Sequence, residues 1–368
     1  HMMFNGTARL EPGEFDRIME ANGGSHNAYT SRDVTVYKDW FPRSALEVIF
    51  GLEGDRFANL DIDDEVVESE RGVVYSERRT RVDNDNMGRL FEQMLATAFV
   101  AHPYQFPIIG WPSDIENWTR DDLESFYQTY YAPNNCTLVV VGDVTAAEIH
   151  RLSEVYFGPI AAQDPPRDVH TVEPEQSGAR RLTIETSAQT PLLHVAFHAG
   201  RAGEPETLAM DLLLNILVGG DSSRLHQRLV EQEQLAISIG GFQQEGFDPG
   251  TVYFYLTLPP DADTAAAEAV LFAELQRIVD EGVTEAELAK AKNIRIANFW
   301  RELATIDGKA EALGRHEVFH GGYETLFDLP AAVDAVSTEA MRAVAEQVFS
   351  LNNATIGVLR APAVEDES

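Results

Sequence analysis

The sequence predicts an α+β fold built from two copies of one unit, each a mostly antiparallel sheet covered by helices. Three observations predict it. The stretch TRDDLESFYQTYYAPNNCTLVVVGDV, from Thr119, returns in outline as STEAMRAVAEQVFSLNNATIGVLRAP, from Ser337, 218 positions later. That offset puts Asn134-Asn135 on Asn352-Asn353, Thr137 on Thr355, Leu123 on Met341 and Tyr131 on Phe349. Helical patterns alternate with short apolar runs in both halves. Between the halves, PIAAQDPPRDVHTVEPEQSG (159–178) is rich in proline and polar groups and has no apolar periodicity. The chain therefore divides into a first unit at 1–160, a linker at 161–179, a second unit at 180–362 and a polar, frayed tail at 363–368.

Each element follows in order. EPGEFDRIMEANGG reads as a helix ending on a Gly-Gly cap, and NAYTSRDVTVYKDWFP as a strand pair. SALEVIFGLEGDRFANL is a second helix, and DIDDEVVESERGVVYSERRTRVDNDNMGRLFEQMLATAFV one long helical stretch. Thr119 and Ser337 cap amphipathic helices, each followed by an Asn-Asn turn and a hydrophobic strand. The densest apolar run, CTLVVVGDV at 136–144, reads as a buried strand, which makes Cys136 an inert core thiol. In the second unit HVAFHAG and TVYFYLTLP are strands around the helix PETLAMDLLLNILVGG.

Composition excludes several classes of function. The formal charge is −32, from 60 acidic and 28 basic residues, and only Lys38, Lys290, Lys292 and Lys309 are lysines. Such a surface repels phosphate backbones, so nucleic acid is not the partner. It suits cationic peptides or a high-salt habitat equally well. An apolar run of some 18 residues, the length a membrane span needs, is absent, so the expectation is a soluble protein of bacterial periplasm or cytoplasm. A single cysteine excludes an internal disulfide and a cysteine-built metal site.

The chemistry centres on SERGVVYSERRTR (69–81). Glu70 and Glu77 are seven apart, two helical turns, so both carboxylates leave one face. Alone, such a pattern is a solvated face held by ion pairs. Its company changes the reading. GGSHNAYTSRDVTVY (23–37), ERGVVYSE (70–77), HPYQFPIIGW (102–111) and YAPNNCTLVVVGDV (131–144) stand in that order. Together they resemble the pitrilysin-like zinc metallopeptidases, the family of insulinase and mitochondrial processing peptidase, over nearly the whole chain.

The resemblance implies a zinc site with the inverted motif His-x-x-Glu-His on a helix and a glutamate ligand about 76 residues beyond the second histidine. The opening His-Met could be the scar of a purification tag. The spacing favours His1 as that second histidine, since MMFNGT follows it and Glu77 stands 76 residues beyond. His1 and Glu77 are then zinc ligands, and Glu70 a carboxylate that orients a ligating histidine. Asn27, Ala28 and Thr30 match the family's edge strand, to which an extended peptide adds as a further strand. His26 is expected to be an exposed loop residue and His102 a packing or capping one. The first histidine and the catalytic glutamate would lie ahead of residue 1, so the 368-residue chain is expected to be an inactive piece of a zinc endopeptidase for unfolded peptides.

The second unit lacks the inverted motif. In the family a silent half presents an arginine and a tyrosine seven apart to substrate carbonyls and the oxyanion. Here LVEQEQLAI (229–237) puts Val230 and Ile237 at those places, and Arg224 and Arg228 read as helix-surface residues. The resemblance therefore implies a homologous partner subunit that brings the Arg/Tyr pair and closes a clamshell with this one. Two other readings remain: a non-catalytic scaffold subunit of a larger complex, and a peptide-binding module without metal.

Overall fold

The computed structural model describes residues 1–362; the expected tail at 363–368 lies outside the described residues. In chain order, a 3-10 turn (Met2–Phe4) leads to α1 (Glu14–Ala21), β1 (Ser25–Thr30), β2 (Thr35–Trp40), α2 (Leu46–Asn59), α3 (Asp64–Arg78) and α4 (Asn86–Ala98). Next come α5 (Pro112–Asn117), α6 (Arg120–Tyr130), α7 (Ala146–Tyr156), β3 (Arg180–Glu185), β4 (Leu192–His198) and α8 (Pro205–Val218). The remainder is β5 (Ser238–Gln244), β6 (Thr251–Thr257), α9 (Thr264–Glu281), α10 (Glu285–Glu302), α11 (Ile306–Phe319), α12 (Thr325–Ala335), α13 (Thr338–Val348) and β7 (Ala354–Arg360).

Local chemistry starts these helices where the sequence puts them. Thr119 and Asp122 form a capping box on α6, and the Ser337 hydroxyl accepts from the Ala340 amide on α13. Both helices run into a 3-10 turn ending in Asn-Asn. The Asn135 amide donates to the Tyr130 carbonyl and the Asn353 amide to the Val348 carbonyl, each at 3.0 Å. One hydrogen bond thus recurs at the repeat offset.

The chain divides into two compact units that exchange segments instead of following the two continuous halves. One holds 1–79, 108–170 and 302–318; the other holds 80–107 and 171–301 and resumes at 319. The first unit therefore contains most of α11 from the second half of the sequence, and the second contains α4 from the first half. These two helices are counterparts, since α11 begins 220 residues after α4.

The second unit is built on a five-stranded sheet of order β3-β7-β4-β6-β5, antiparallel except for β3 with β7. Alternation along β4 sends Leu193, Val195 and Phe197 into the main core with α8, α9 and α13. Leu192 and Ala196 go to the other face, with Leu90 and Met94 of α4. Gly357 on β7 permits that contact, because a Cβ there would lie 2.5 Å from Met94 Sδ and 3.0 Å from Leu90 Cδ1.

The first unit has the hairpin β1–β2, with Asn27 opposite Lys38, Ala28 opposite Tyr37 and Thr30 opposite Thr35. Two sequence expectations need correction. The stretch 61–100 is not one helix: α3 loosens into a π-helical turn (Arg79–Asp83), and Asp85 starts α4 afresh by accepting from the Gly88 amide. An Asp side chain that bonds a nearby amide in this way competes with continued helix. Residues 136–144 are not a strand of any sheet, and Cys136 is exposed, not a core thiol. The apolar run is extended at Cys136, but a ladder needs a neighbour, and among the described residues no strand pairs with it. Among the described residues no helix is long and apolar enough to cross a membrane.

His194 on β4 tests the buried face of the second unit. It is 1% exposed, with Nδ1 2.8 Å from the Tyr253 hydroxyl and Nε2 3.0 Å from Met87 Sδ. Burial pushes its pKa from the ordinary 6.5 down to about 3. Below 6.5 the unfolded chain takes up a proton that the folded one refuses, so stability is lost as pH falls from 6.5 towards 3. His194→Gln should remove this share of the slope. Between pH ~6.5 and ~5 the stability of wild type relative to the variant should drop by about 2 kcal/mol in chemical denaturation. Parallel profiles would exclude a buried neutral imidazole.

Candidate metal and peptide site

The segment carrying His1 is held at several points. Met3 is buried, and the Phe4 ring stacks on His26 at 5.2 Å. Gly6 has φ 109°, and a Cβ there would meet the Leu10 carbonyl oxygen at 2.7 Å, so glycine is required. The Thr7 hydroxyl donates to buried Asp55 at 2.5 Å. These contacts leave the start of the chain little freedom.

α3 presents its carboxylates to that segment. Asp63 caps it by accepting from the Glu65 amide, and Val67 and Val74 bury one face. Arg71 donates to the Ile115 and Trp118 carbonyls at 2.6 and 2.9 Å, and buried Arg78 to the Gly110 carbonyl at 2.8 Å. These bonds fix the helix's rotation, and Glu70 and Glu77 then flank the His1 imidazole. Nδ1 lies 3.0 Å from Glu70 Oε2 and Nε2 lies 3.2 Å from Glu77 Oε2. The three residues singled out from the sequence thus meet at one place.

The donor set can be tested against a zinc ion. A ligating histidine gives one ring nitrogen to the metal and hydrogen-bonds through the other, often to a carboxylate. His1 has Glu70 on one nitrogen and Glu77 on the other, which suits Nε2 and Glu77 as donors with Glu70 behind. That makes two donors, whereas a catalytic zinc site uses three protein ligands and an open position. Among the described residues no group of three His, Cys, Asp or Glu could hold a metal. These residues alone do not fit a complete zinc site.

β1 carries exposed Asn27, half-buried Ala28 and exposed Thr30, and among the described residues it pairs with β2 alone, leaving its other edge open. Tyr29 donates to Glu311 at 2.5 Å, and Lys38 reaches Asp307 and Glu311 at 3.0 and 3.2 Å, tying the hairpin to α11. His26 is not an exposed loop residue: it sits on β1 facing inward, with Nε2 2.6 Å from Asp16 and its ring between Phe4 and Phe15. Strand alternation turned it under the hairpin. Sequence reasoning missed Arg56, which is 2% exposed, lies over the Phe4, Phe15 and Tyr37 rings and pairs with Glu53 at 2.8 Å. Its only signal was a charged residue on the apolar face of GLEGDRFANL.

In the second unit Val230 is half-buried in a π-wound turn (His226–Gln232), and Ile237 is exposed just ahead of β5, its amide donating to the Thr257 carbonyl. Neither side chain can donate a hydrogen bond. Arg228 is an exposed partner of Glu233 at 2.9 Å, as its surface reading expects. Arg224 departs from that reading. It is half-buried, with Nε 2.7 Å from Glu287 and Nη1 3.5 Å from Glu274, because α9 and α10 close over it. His102 caps a 3-10 turn, its Nδ1 accepting from the Tyr104 amide at 3.3 Å.

The Arg224 hydrogen bonds hold the Glu287 carboxyl well below its ordinary 4.5, at about 2, with Thr284 donors assisting. A depressed carboxyl stabilises the fold above its ordinary value and loses this as pH falls towards 2. Glu287→Gln should therefore destabilise at neutral pH by about 1–3 kcal/mol, the scale of a charge-assisted hydrogen bond. The difference from wild type should shrink as acid unfolding is followed below pH ~4.5. A variant as stable as wild type at pH ~7 would show the pair to be idle.

Comparison with known proteins gives the family and the fold. The family profile described as "Insulinase (Peptidase family M16)" matches residues 1–110, the segment with His1, Glu70 and Glu77. The profile described as "Peptidase M16 inactive domain" matches 117–295, the segment with Val230 and Ile237. The zinc protease PqqE of Helicobacter pylori is 30% identical over 317 residues, which cover 85% of this chain and 71% of that protein. The beta subunit of mitochondrial-processing peptidase from Lentinula edodes is 28% identical, covering 94% of this chain and 77% of its own. A crystal structure of a protease from Helicobacter pylori superposes with a TM-score of 0.94 at 28% identity, covering 98% of this chain and 87% of that one.

Proposed function

Because the chain belongs to the insulinase family of M16 peptidases, we propose that its first unit carries part of the zinc site of an endopeptidase for unfolded peptides. His1 and Glu77 are two of the protein ligands, and Glu70 orients the His1 ring. The observation that carries this reading is the imidazole held between the two carboxylates, at 3.0 and 3.2 Å. Zinc, once bound, would act as Lewis acid and lower the pKa of a bound water. The family's inverted motif would put the third ligand and the general base just ahead of His1. An extended peptide lies along the open edge of β1 at Asn27, Ala28 and Thr30, with main-chain hydrogen bonds giving affinity.

The partner follows from what Val230 and Ile237 cannot do. Loss of one oxyanion donor generally costs ~10² to 10³ in turnover, so a homologous subunit is assigned the Arg/Tyr pair. The relative named as a beta subunit supports a paired arrangement. The alternative, a non-catalytic scaffold, differs in having no zinc.

Two measurements test this. In a protein that includes the residues naturally preceding His1, dialysis against zinc should give one bound ion. Glu77→Gln should weaken binding strongly, and Glu70→Gln by the ~10 to 100-fold of an orienting carboxylate. Equal zinc content in wild type and the Glu77 variant would remove Glu77 from the site. In the second, the same protein should cleave a quenched fluorescent peptide only when mixed with a homologue bearing the intact Arg/Tyr segment. Full activity without that partner would end the two-subunit reading.

A further inference from the structure

The second unit holds a cavity of about 250 Å³ where the chain leaving β4, the start of α8 and the end of α13 come together. Met210, Val344 and Val348 line it with apolar groups, while Glu204, Glu206 and Gln243 bring two carboxylates and a carboxamide. The peptidase reading makes no use of it.

Gln243 breaks the pattern of β5. Ile239 packs on the main core, and a Cβ at Gly241 would stand 3.4 Å from Val218 Cγ2 of α8, so alternate residues of this strand face the helices. Gln243 is next in that row and stands opposite Val252, which is fully buried. The position calls for an apolar side chain. Instead it carries an amide whose oxygen and nitrogen are both buried and, among the described residues, have no hydrogen-bond partner. An unpaired buried amide destabilises a fold, and a local rule broken at such cost marks a functional place.

The carboxylates are set by the loop ahead of α8. Glu204 accepts from the Arg201 amide at 3.2 Å and from Arg201 Nε at 3.1 Å, and a Cβ on Gly200 would lie 2.6 Å from Glu204 Oε2. The Thr207 hydroxyl donates to the Arg201 carbonyl at 2.7 Å and closes the loop. Arg201 answers the charge of Glu204, which leaves Glu206, exposed on the first turn of α8, to attract a cation. Acidic residues at a helix start are ordinary in themselves, since they complement its dipole. The unpaired carboxamide beside them is not.

We infer that this cavity binds a small amino alcohol: an ammonium and a hydroxyl on adjacent carbons, with a short branched aliphatic tail. A carboxamide presents an acceptor and a donor side by side, and such a ligand presents the complementary pair. The ammonium donates to Gln243 Oε1, the ligand's hydroxyl oxygen accepts from Nε2, and Glu206 supplies the opposite charge. The tail lies on Met210, Val344 and Val348. Because the amide holds no hydrogen bond in its present position, turning it to the ligand sacrifices none, and its terminal torsion is a soft one. Ligands bearing a carboxylate or phosphate are repelled by the two glutamates. The inference stands whether or not the first unit binds zinc.

Titration of the 368-residue chain with leucinol at neutral pH, followed by ligand-observed NMR, tests it. Leucinol should bind saturably. Isohexanol, which lacks the ammonium, isoamylamine, which lacks the hydroxyl, and leucine, which adds a carboxylate, should each bind ~10-fold more weakly or worse, the scale of one strong hydrogen bond. Gln243→Leu should lower leucinol affinity by ~10-fold or more, yet raise the urea midpoint of unfolding, because an apolar side chain then fills an apolar position. Glu206→Gln, on an exposed turn, should weaken leucinol ~2 to 5-fold, as loss of a solvent-screened charge does. Non-saturable binding, equal affinity for any of the three analogues, or undiminished affinity in either variant would overturn the inference. A Gln243→Leu chain less stable than wild type would assign the amide to the fold and overturn it as well.

Discussion

The approach of Met94 to Gly357, where α4 lies on the five-stranded sheet, is the contact on which the second unit depends. Without that helix, Leu192, Ala196, Tyr253 and Leu359 would face water. Burying a side chain of leucine size is worth roughly 1.5–3 kcal/mol, so the loss would be a large part of a domain's stability. The helix comes from the first half of the sequence. α11 makes the reciprocal loan to the first unit, where it receives Val139 and binds Tyr29 and Lys38. Duplication thus produced two units that each hold one helix from the other half of the sequence, and the chain passes from one unit to the other at Arg79-Thr80.

The crossing sits just beyond the residues of greatest chemical interest. α3 carries Glu70 and Glu77 within the first unit, then loosens into the π-helical turn and hands the chain to α4. Because Arg71 and Arg78 bind the backbone at 110–118, the orientation of α3 is set by neutral carbonyls and does not rely on exposed ion pairs. Its carboxylates stay available to His1. A helix locked by its own far-side contacts holds Glu70 and Glu77 in place beside the His1 ring.

How much of this the sequence disclosed depends on range. The capped starts at Thr119 and Ser337, the Asn-Asn turns and the β1–β2 hairpin rest on neighbours within a few residues, and they are legible. The meeting of His1 with Glu70 and Glu77 was legible only through spacing matched to a family, because helical period says which face the carboxylates share but not what they face. Where a partner from far along the chain decides, local reading failed. Residues 136–144 have every strand-forming preference, but a ladder also needs an adjacent strand. Arg224 looked like a surface residue until α9 and α10 supplied Glu274 and Glu287, and His26 looked like a loop residue until pairing with Asp39 turned it inward.

The exchange of helices is the central claim, and a double-mutant cycle on Met94 and Gly357 measures it directly. Gly357→Val pushes a side chain into the space of Met94 Sδ and should cost roughly 1–3 kcal/mol, as overpacking does. Met94→Ala alone should cost about 2–5 kcal/mol. Made together, the two changes should relieve each other, so that the double variant is more stable than the sum of the single effects by about 1 kcal/mol or more in urea unfolding. Additivity within about 0.5 kcal/mol would mean that the two residues do not touch, and would contradict the packing of α4 on the sheet.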